Sequence, residues 1–401
     1  MLLTILMGVM AVVFLLAILF VDTLPEDLTI VLVSAMFIML VLSCILFSRK
    51  KRVLRIMGII VAAAFFIVFG STSYFMGTTY AMLNQISANK VGGDGTGANI
   101  NPVEEPFNVY ITGIDQWEDE KGLDLERSDV NMLVTVNPVT KKILLTSIPR
   151  DSYVKLHSSQ QMDKLTHSGI YGVDETLNTV KDWFGIDISY YFKMNFSAAV
   201  EIIDALGGIK VYSPVAFESS LKGYKYKKGW NYLGGYKALY FARERHAFEG
   251  EDAMRVENQQ RVMKAIIKKM TSSTALLTNY GDVMNAASNN LQTDMTSDEM
   301  LELVKMQLTD LSEWDIQTQK IEGEYDEDYV ASLTQARKFS IYRPDPKSEE
   351  KCIDNINSIM KPTEAELEKA REIRNKGFVT SLISTMKEKA PWNKDEDSEE
   401  K

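Results

Sequence analysis

The chain has 401 residues, a formal net charge of −10, three histidines and two cysteines, Cys44 in an apolar run and Cys352 toward the polar end, a placement that argues against a disulfide framework, a cysteine metal cluster and a thiol mechanism. Residues 1–85 carry five basic groups against three acidic ones, so the remainder holds a net −12. A body of that charge repels phosphate backbones, and nucleic acid is excluded as a partner.

Three apolar runs open the chain, Leu2 to Phe20, Leu28 to Phe47 and Ile56 to Phe75. Each is close to the roughly 20 residues a helix needs to cross a bilayer. The first lacks the basic start and small-residue end of a cleaved signal, so residues 1–80 are read as three transmembrane helices. The loop Ser48-Arg49-Lys50-Lys51-Arg52 is basic and the loop around Asp22 to Asp27 has no basic residue. Basic loops stay in the cytoplasm, which puts the N-terminus inside and everything after about Tyr80 outside, in a multi-pass cell-membrane protein with an extracytoplasmic body. Residues 81–105, with the Gly-rich stretch Gly92 to Asn99, read as a flexible linker.

The body, 106–335, opens with Phe107 to Asp115, a buried strand that ends by presenting Asp115. Val130 to Val136 and Lys142 to Ile148 predict a hairpin turned at Asn137-Pro138. Asp174 is the expected cap of a helix carrying Leu177, Val180 and Phe184, and Ile188 to Phe196 follows as a strand. Ser197 is the expected cap of the next helix, which stops at Gly207-Gly208 before the strand Ile209 to Tyr212. Helices are predicted from Ala253 to about Thr271 and from Ser297 to Leu308, and a late strand from Asp315 to Ile321. This alternation predicts an α/β fold, layered α-β-α, with a mixed central sheet. Beyond Ala336 the pattern weakens, and 336–401 reads as a partly disordered tail containing a charged, helix-prone stretch from Glu364 to Lys376.

The chemistry-bearing residues gather at element ends. Arg127-Ser128-Asp129 precedes a strand, Ile148-Pro149-Arg150-Asp151 closes one, Arg243-Glu244-Arg245 ends a helix, and Asp252, Arg255 and Gln259 follow. Arginine forks suit phosphate oxygens, and several converging suit a pyrophosphate. Asp115 and Asp129 offer hard oxygen ligands for Mg²⁺. Taken singly, each is equally a surface ion pair, turn former or helix cap. No nucleotide-binding glycine loop, Gly-x-Ser-x-Gly elbow or His-Glu-x-x-His motif is present, and His157, His167 and His246 have no metal-site spacing and read as incidental.

Five segments in order resemble the signature blocks of the LytR-CpsA-Psr family: Arg127 to Leu133, Ser147 to Val154, Asp204 to Ile209, Ala238 to Arg245 and Asp252 to Gln260. The resemblance spans about Phe107 to Gly323, and the three-span anchor is similar to that of the CpsA branch, although only a short tether stands where that branch often has an accessory domain. Asn258 stands where many relatives have a charged or longer polar residue and is left out of the site.

The resemblance implies that Asp115 and Asp129 hold Mg²⁺, with Mn²⁺ as the alternative ion, against the pyrophosphate of an undecaprenyl-linked glycopolymer. Arg127, Arg150, Arg243, Arg245, Arg255 and Gln259 would surround the phosphates. A polyprenyl tail would lie in an apolar tunnel between sheet and helices whose lining no motif identifies. The expected reaction is phosphotransfer of the polymer (teichoic acid, capsule or a related polysaccharide) to peptidoglycan, with Asp252 as candidate base and Asp151 as the second choice. The rival readings are a polyprenyl-pyrophosphate binding module or pyrophosphatase, and a membrane-bound transcriptional attenuator, which an exterior acidic body does not suit.

Overall fold

The computed structural model describes residues 2–21, 24–88, 100–114, 128–248, 251–272, 280–310, 312–332 and 337–374. The Gly-rich linker stretch and the last 27 residues therefore lie outside the described residues. The chain divides into two compact units, 1–84 with 300–312 and 372 onward, and 85–299 with 313–371.

Three long helices, α1 (Leu2–Val21), α2 (Glu26–Phe47) and α3 (Arg52–Ala88), are each long and apolar enough to cross a membrane. Their facing sides interlock through Met7, Phe14, Met36, Phe65 and Phe69, with the Phe14 and Phe69 rings 5.0 Å apart edge to face. Their outer sides expose Leu19, Phe20, Ile60 and Ile67, the pattern of helices solvated by hydrocarbon. The third helix runs past the apolar run that ends at Phe75: its 37 residues span about 55 Å, more than a bilayer core requires.

The second unit is built on a six-stranded mixed sheet of order β11-β6-β1-β2-β3-β12. Its strands are β1 (Phe107–Ile114), β2 (Ser128–Asn137), β3 (Lys142–Ile148), β6 (Tyr190–Asn195), β11 (Leu291–Thr293) and β12 (Asp315–Lys320). β1 pairs antiparallel with β2 and parallel with β6, β2 and β3 form the predicted hairpin, and β12 runs parallel to β3 at the open edge. Short ribbons flank the sheet: β4 (Tyr153–Lys155) with β5 (Met162–Lys164), β7 (Ile209–Ser213) with β10 (Gly229–Leu233), β8 (Phe217–Glu218) with β9 (Lys225–Tyr226), and β13 (Gly323–Asp328) with β14 (Phe339–Pro344).

Helices cover both faces, so the layered α-β-α expectation holds. On one face α4 (Leu165–Ser168), α5 (Val173–Phe184) and α11 (Pro346–Met360) pack with Tyr110, Leu133, Leu144 and Tyr191 of the sheet. On the other lie α6 (Phe196–Ala205), α7 (Gly235–Arg243) and α8 (Glu251–Met270), of which α8 packs on β3 and β12. α9 (Tyr280–Asn290), α10 (Ser297–Asp310) and α12 (Glu364–Arg374) complete the elements. Pairs of polar groups within the sheet satisfy each other: the Tyr110 hydroxyl donates to Asn131 at 2.7 Å and the Thr135 hydroxyl to Asn108 at 2.7 Å.

Two helix starts differ from expectation. α6 begins at Phe196 because Asn195, not Ser197, caps it, accepting from the Ala198 N–H at 2.7 Å. α5 is preceded by Gly172 at φ +103°, a conformation that favours glycine, and Asp174 falls in the first turn, where a carboxylate complements the helix dipole. Past Ala336 the weak pattern conceals ordered elements: β14 pairs with β13, and Asp345 caps α11 with Pro346 at its first position. Cys352, Ile356 and Ile359 form one narrow stripe on that polar helix and are buried in the same core as Tyr110.

Candidate functional site: an arginine-lined cleft

Arg150 stands just past the end of β3, in a turn that Pro149 starts. That turn is fastened by backbone bonds, Ser152 N–H to the Pro149 carbonyl at 3.0 Å and Thr166 N–H to the Arg150 carbonyl at 2.9 Å. Asp151 lies 3.5 Å from Arg150 Nε and 3.2 Å from Lys164 Nζ. Its carboxylate thus sits beside the arginine rather than among the groups that line the cleft.

Arg243 is the last residue of α7, and its guanidinium lies 4.8 Å from the centre of the Phe196 ring at the start of α6. The close approach of these two helices needs Gly235, since a Cβ there would fall on the Val200 carbonyl and within 2.8 Å of Asp204 Oδ2. Asp204 then accepts the Gly235 N–H at 2.7 Å and caps α7, while Gly207 and Gly208, at φ +74° and +93°, end α6. The block Asp204 to Ile209 is therefore the device that seats α7.

After α7 the chain turns through Glu244, Arg245 and His246. Glu244 is buried to 1% exposure and accepts from the N–H groups of Arg245 and Ala247, each at 3.1 Å, and from Ser220 through its N–H at 2.7 Å and hydroxyl at 3.1 Å. One carboxylate thereby ties the arginine loop to the β8–β9 turn. Beneath it Phe217 packs against Tyr226 and Phe241 with tilted rings and against Phe248 edge to face, ring centres 4.6 to 5.4 Å apart, which holds the ribbon on α7. Burial pushes the Tyr226 phenol well above its usual pKa, and its hydroxyl donates to the Lys237 carbonyl at 2.8 Å.

Arg255 and Gln259 come from α8, one turn apart and hence on one side of the helix. With Arg150, Phe196, Ser220, Leu221, Arg243, Arg245 and His246 they enclose a cleft of about 260 Å³. Four guanidinium groups converge there, no carboxylate is among the described lining residues, and arginine does not lose its charge in a protein. Such a cleft suits an anion with several oxygens, since planar forks match phosphate geometry.

Of the six residues expected around the phosphates, Arg150, Arg243, Arg245, Arg255 and Gln259 are brought together. Arg127 and Asp115 lie outside the described residues, as do the side chains of Asp129 and Asp252. The backbone at Asp129 is informative: β1 and β2 shift register so that Gly113 faces Val130 and Ile114 faces Ser128, leaving Asp129 in a bulge beside the end of β1. Residue 115 follows that same strand end.

Sequence reasoning missed Phe196, Ser220, Leu221, Glu244 and the lining position of His246. Glu244 had a signal, a carboxylate between two arginines, but that pattern equally describes an exposed ion pair. Ser220 and Phe196 had none, because each enters the site through a contact remote in sequence.

A mixed sheet covered by helices on both faces, with an arginine cleft at the end of β3, defines an α/β protein equipped to hold a phosphate-type anion. The chain belongs to the LytR_cpsA_psr family, whose model matches residues 72–348. The chain is 32% identical over 262 residues to the polyisoprenyl-teichoic acid–peptidoglycan teichoic acid transferase TagU of Bacillus licheniformis, covering 64% of this chain and 83% of that protein. It is also 32% identical to the protein of that name from Bacillus subtilis, over 64% of this chain and 82% of the relative. Among solved structures, B. subtilis TagV superposes with a TM-score of 0.54 at 26% identity, covering 65% of this chain and 99% of TagV. TagT bound to LIIa-WTA gives a TM-score of 0.53 at 24% identity, over 67% of this chain and 96% of that one, a likeness of fold.

Proposed function

We propose that this protein transfers a glycopolymer from an undecaprenyl-pyrophosphate carrier to peptidoglycan, on the outer side of the cell membrane. The observation that carries the reading is the convergence of Arg150, Arg243, Arg245 and Arg255 on one cleft, in a chain related to teichoic acid transferases. The exterior placement rests on the basic loop between α2 and α3. A reporter active only outside the membrane is expected to work when fused after Gln85 and to fail at Arg52.

In the reaction, a sugar hydroxyl of peptidoglycan attacks the phosphorus that bears the polymer. The bond from that phosphorus to the bridging oxygen breaks, and polyprenyl phosphate leaves with the electron pair. The arginines hold the non-bridging oxygens and offset the charge that gathers on the transferring group and the leaving phosphate, the main demand of this chemistry. Asp252 is our candidate for the base that takes the hydroxyl proton: it precedes Arg255 by three residues on α8, a spacing that shares a helix side. Asp151, beside Arg150 and Lys164, fits better as the residue that positions Arg150.

Mg²⁺, or Mn²⁺ in its place, is the cofactor we propose, held by Asp115 and Asp129. The reading is supported by the bulge at Asp129, which lies beside the end of β1 at Ile114, the residue that precedes Asp115 in the sequence. Bound there, the ion would supply positive charge to pyrophosphate oxygens.

The test is an assay of the full chain in nanodiscs with a lipid-linked glycopolymer and uncrosslinked peptidoglycan. Covalent attachment of polymer to peptidoglycan, with release of polyprenyl phosphate, is expected. Hydrolysis of the carrier without attachment would replace the transferase with a pyrophosphatase, and binding without turnover would replace it with a binding module.

A further inference from the structure

A second, larger concavity of about 930 Å³ runs along the open edge of the sheet, over β12, between α8 and α11. It is separate from the arginine cleft. On α8, Arg255 and Gln259 face the cleft, whereas Arg261, Lys264 and Lys268 line the groove about half a helical turn away, so the helix is the wall between the two. Both lie at one end of the sheet, since Lys320 of the groove pairs in register with Ser147, three residues before Arg150.

The groove is basic in a body that is acidic overall: seven basic side chains line it against three acidic ones. Glu257 already holds two of the seven, Arg261 at 2.8 Å and Lys320 at 3.3 Å. Lys264 and Lys268 on α8, and Lys347 and Lys351 on α11, are exposed and make no ion pair among the described residues. These are two i, i+4 pairs on opposing walls, each spaced about 6 Å along its helix. At one end the exposed rings of Trp230 and Tyr212 meet edge to face at 5.4 Å, and Lys210 lies 4.9 Å from the indole centre.

We infer that this groove holds the anionic repeat of the donor polymer, a chain of sugar or polyol units joined by phosphates, at a distance from the pyrophosphate that the cleft binds. The inference rests on the transferase reading above. Flexible lysines on two walls attract successive charges without demanding one geometry, as suits a repeating polyanion and a site that must release it. The aromatic rings offer flat apolar surface to the carbons between phosphates. A peptidoglycan strand, with neutral sugars and amines beside its carboxylates, matches an excess of lysine less well.

The test uses the full chain in nanodiscs of neutral lipid and the variant K264Q/K268Q/K351Q, whose three side chains are exposed and lie outside the cleft. Binding of free poly(glycerol phosphate) is expected to weaken about tenfold, and its dependence on log salt to flatten by roughly two units. In the transfer assay, KM is to rise for a carrier bearing a long anionic polymer and to stay unchanged for the same carrier bearing one neutral disaccharide. Arginine at the three positions should restore binding. Unchanged binding and unchanged length dependence overturn the inference, and so does a rise in KM confined to peptidoglycan, which would assign the groove to the acceptor. Should the wild-type chain transfer nothing from any donor, the transferase reading fails, while the poly(glycerol phosphate) measurement still decides the groove.

Discussion

Glu244 and Ser220 are joined twice, by the Ser220 N–H at 2.7 Å and its hydroxyl at 3.1 Å, both to Oε2 of one buried carboxylate. The other oxygen takes the N–H groups of Arg245 and Ala247. The relative position of the arginine loop and the β8–β9 turn therefore depends on a side chain that need not touch substrate. In Glu244→Gln an amide NH₂ replaces one acceptor and must face a donor. A buried donor left unsatisfied costs about 1–3 kcal/mol. Transfer by E244Q is expected to fall at least about tenfold, with a lower unfolding temperature and a higher KM for the lipid donor. Wild-type KM in E244Q would show that the loop is held by other contacts.

The arginines separate phosphate binding from a structural role. Lys at Arg150 or Arg243 keeps the charge and loses the planar fork, so R150K and R243K are expected to be nearly as inactive as the alanine variants. R243K also replaces the guanidinium that lies 4.8 Å from the centre of the Phe196 ring. Surface ion pairs are worth about 0–1 kcal/mol and would tolerate the exchange. Rates for the four variants, with thermal unfolding beside them, decide it: near-wild-type transfer by both lysine variants removes the clamp.

Asp115→Ala and Asp129→Ala are expected to abolish transfer and the Mg²⁺ dependence of pyrophosphate binding while leaving the fold intact. Removal of divalent ions by chelation should do the same to the wild type, and added Mg²⁺ should restore it. Full activity of both variants would place the metal elsewhere.

Asp163 gives stability a pH dependence. It is fully buried, and burial opposes its ionisation, but His167 Nδ1 at 2.6 Å and the N–H groups of Ser332 and Lys164, each at 2.7 Å, outweigh burial and hold its pKa below the usual value. A lowered native pKa stabilises the fold above the unfolded-state value of about 3.9, and that contribution is lost as pH falls through the native value. Denaturant unfolding of the wild type should lose more stability between pH 7 and about 3 than Asp163→Asn does. Parallel losses in the two proteins would show that Asp163 carries no linked proton.

Local pattern was enough for the three long apolar helices, the β2–β3 hairpin and the strands around Tyr110, because each depends on hydrophobicity read over one short window. It was also enough to single out Arg150, Arg243 and Arg245, at or just past element ends, and Arg255 and Gln259, within α8, all of them in recognisable blocks. The convergence of those residues was not legible, since it depends on Gly235 letting α7 close on α6 and on Glu244 reaching Ser220, 24 residues away. Nor was the second groove, whose lysines come from α8 and α11 and look in sequence like ordinary solvated faces. Charge type is written residue by residue, whereas the field at a site is a sum over side chains that only the tertiary fold brings within range of one another.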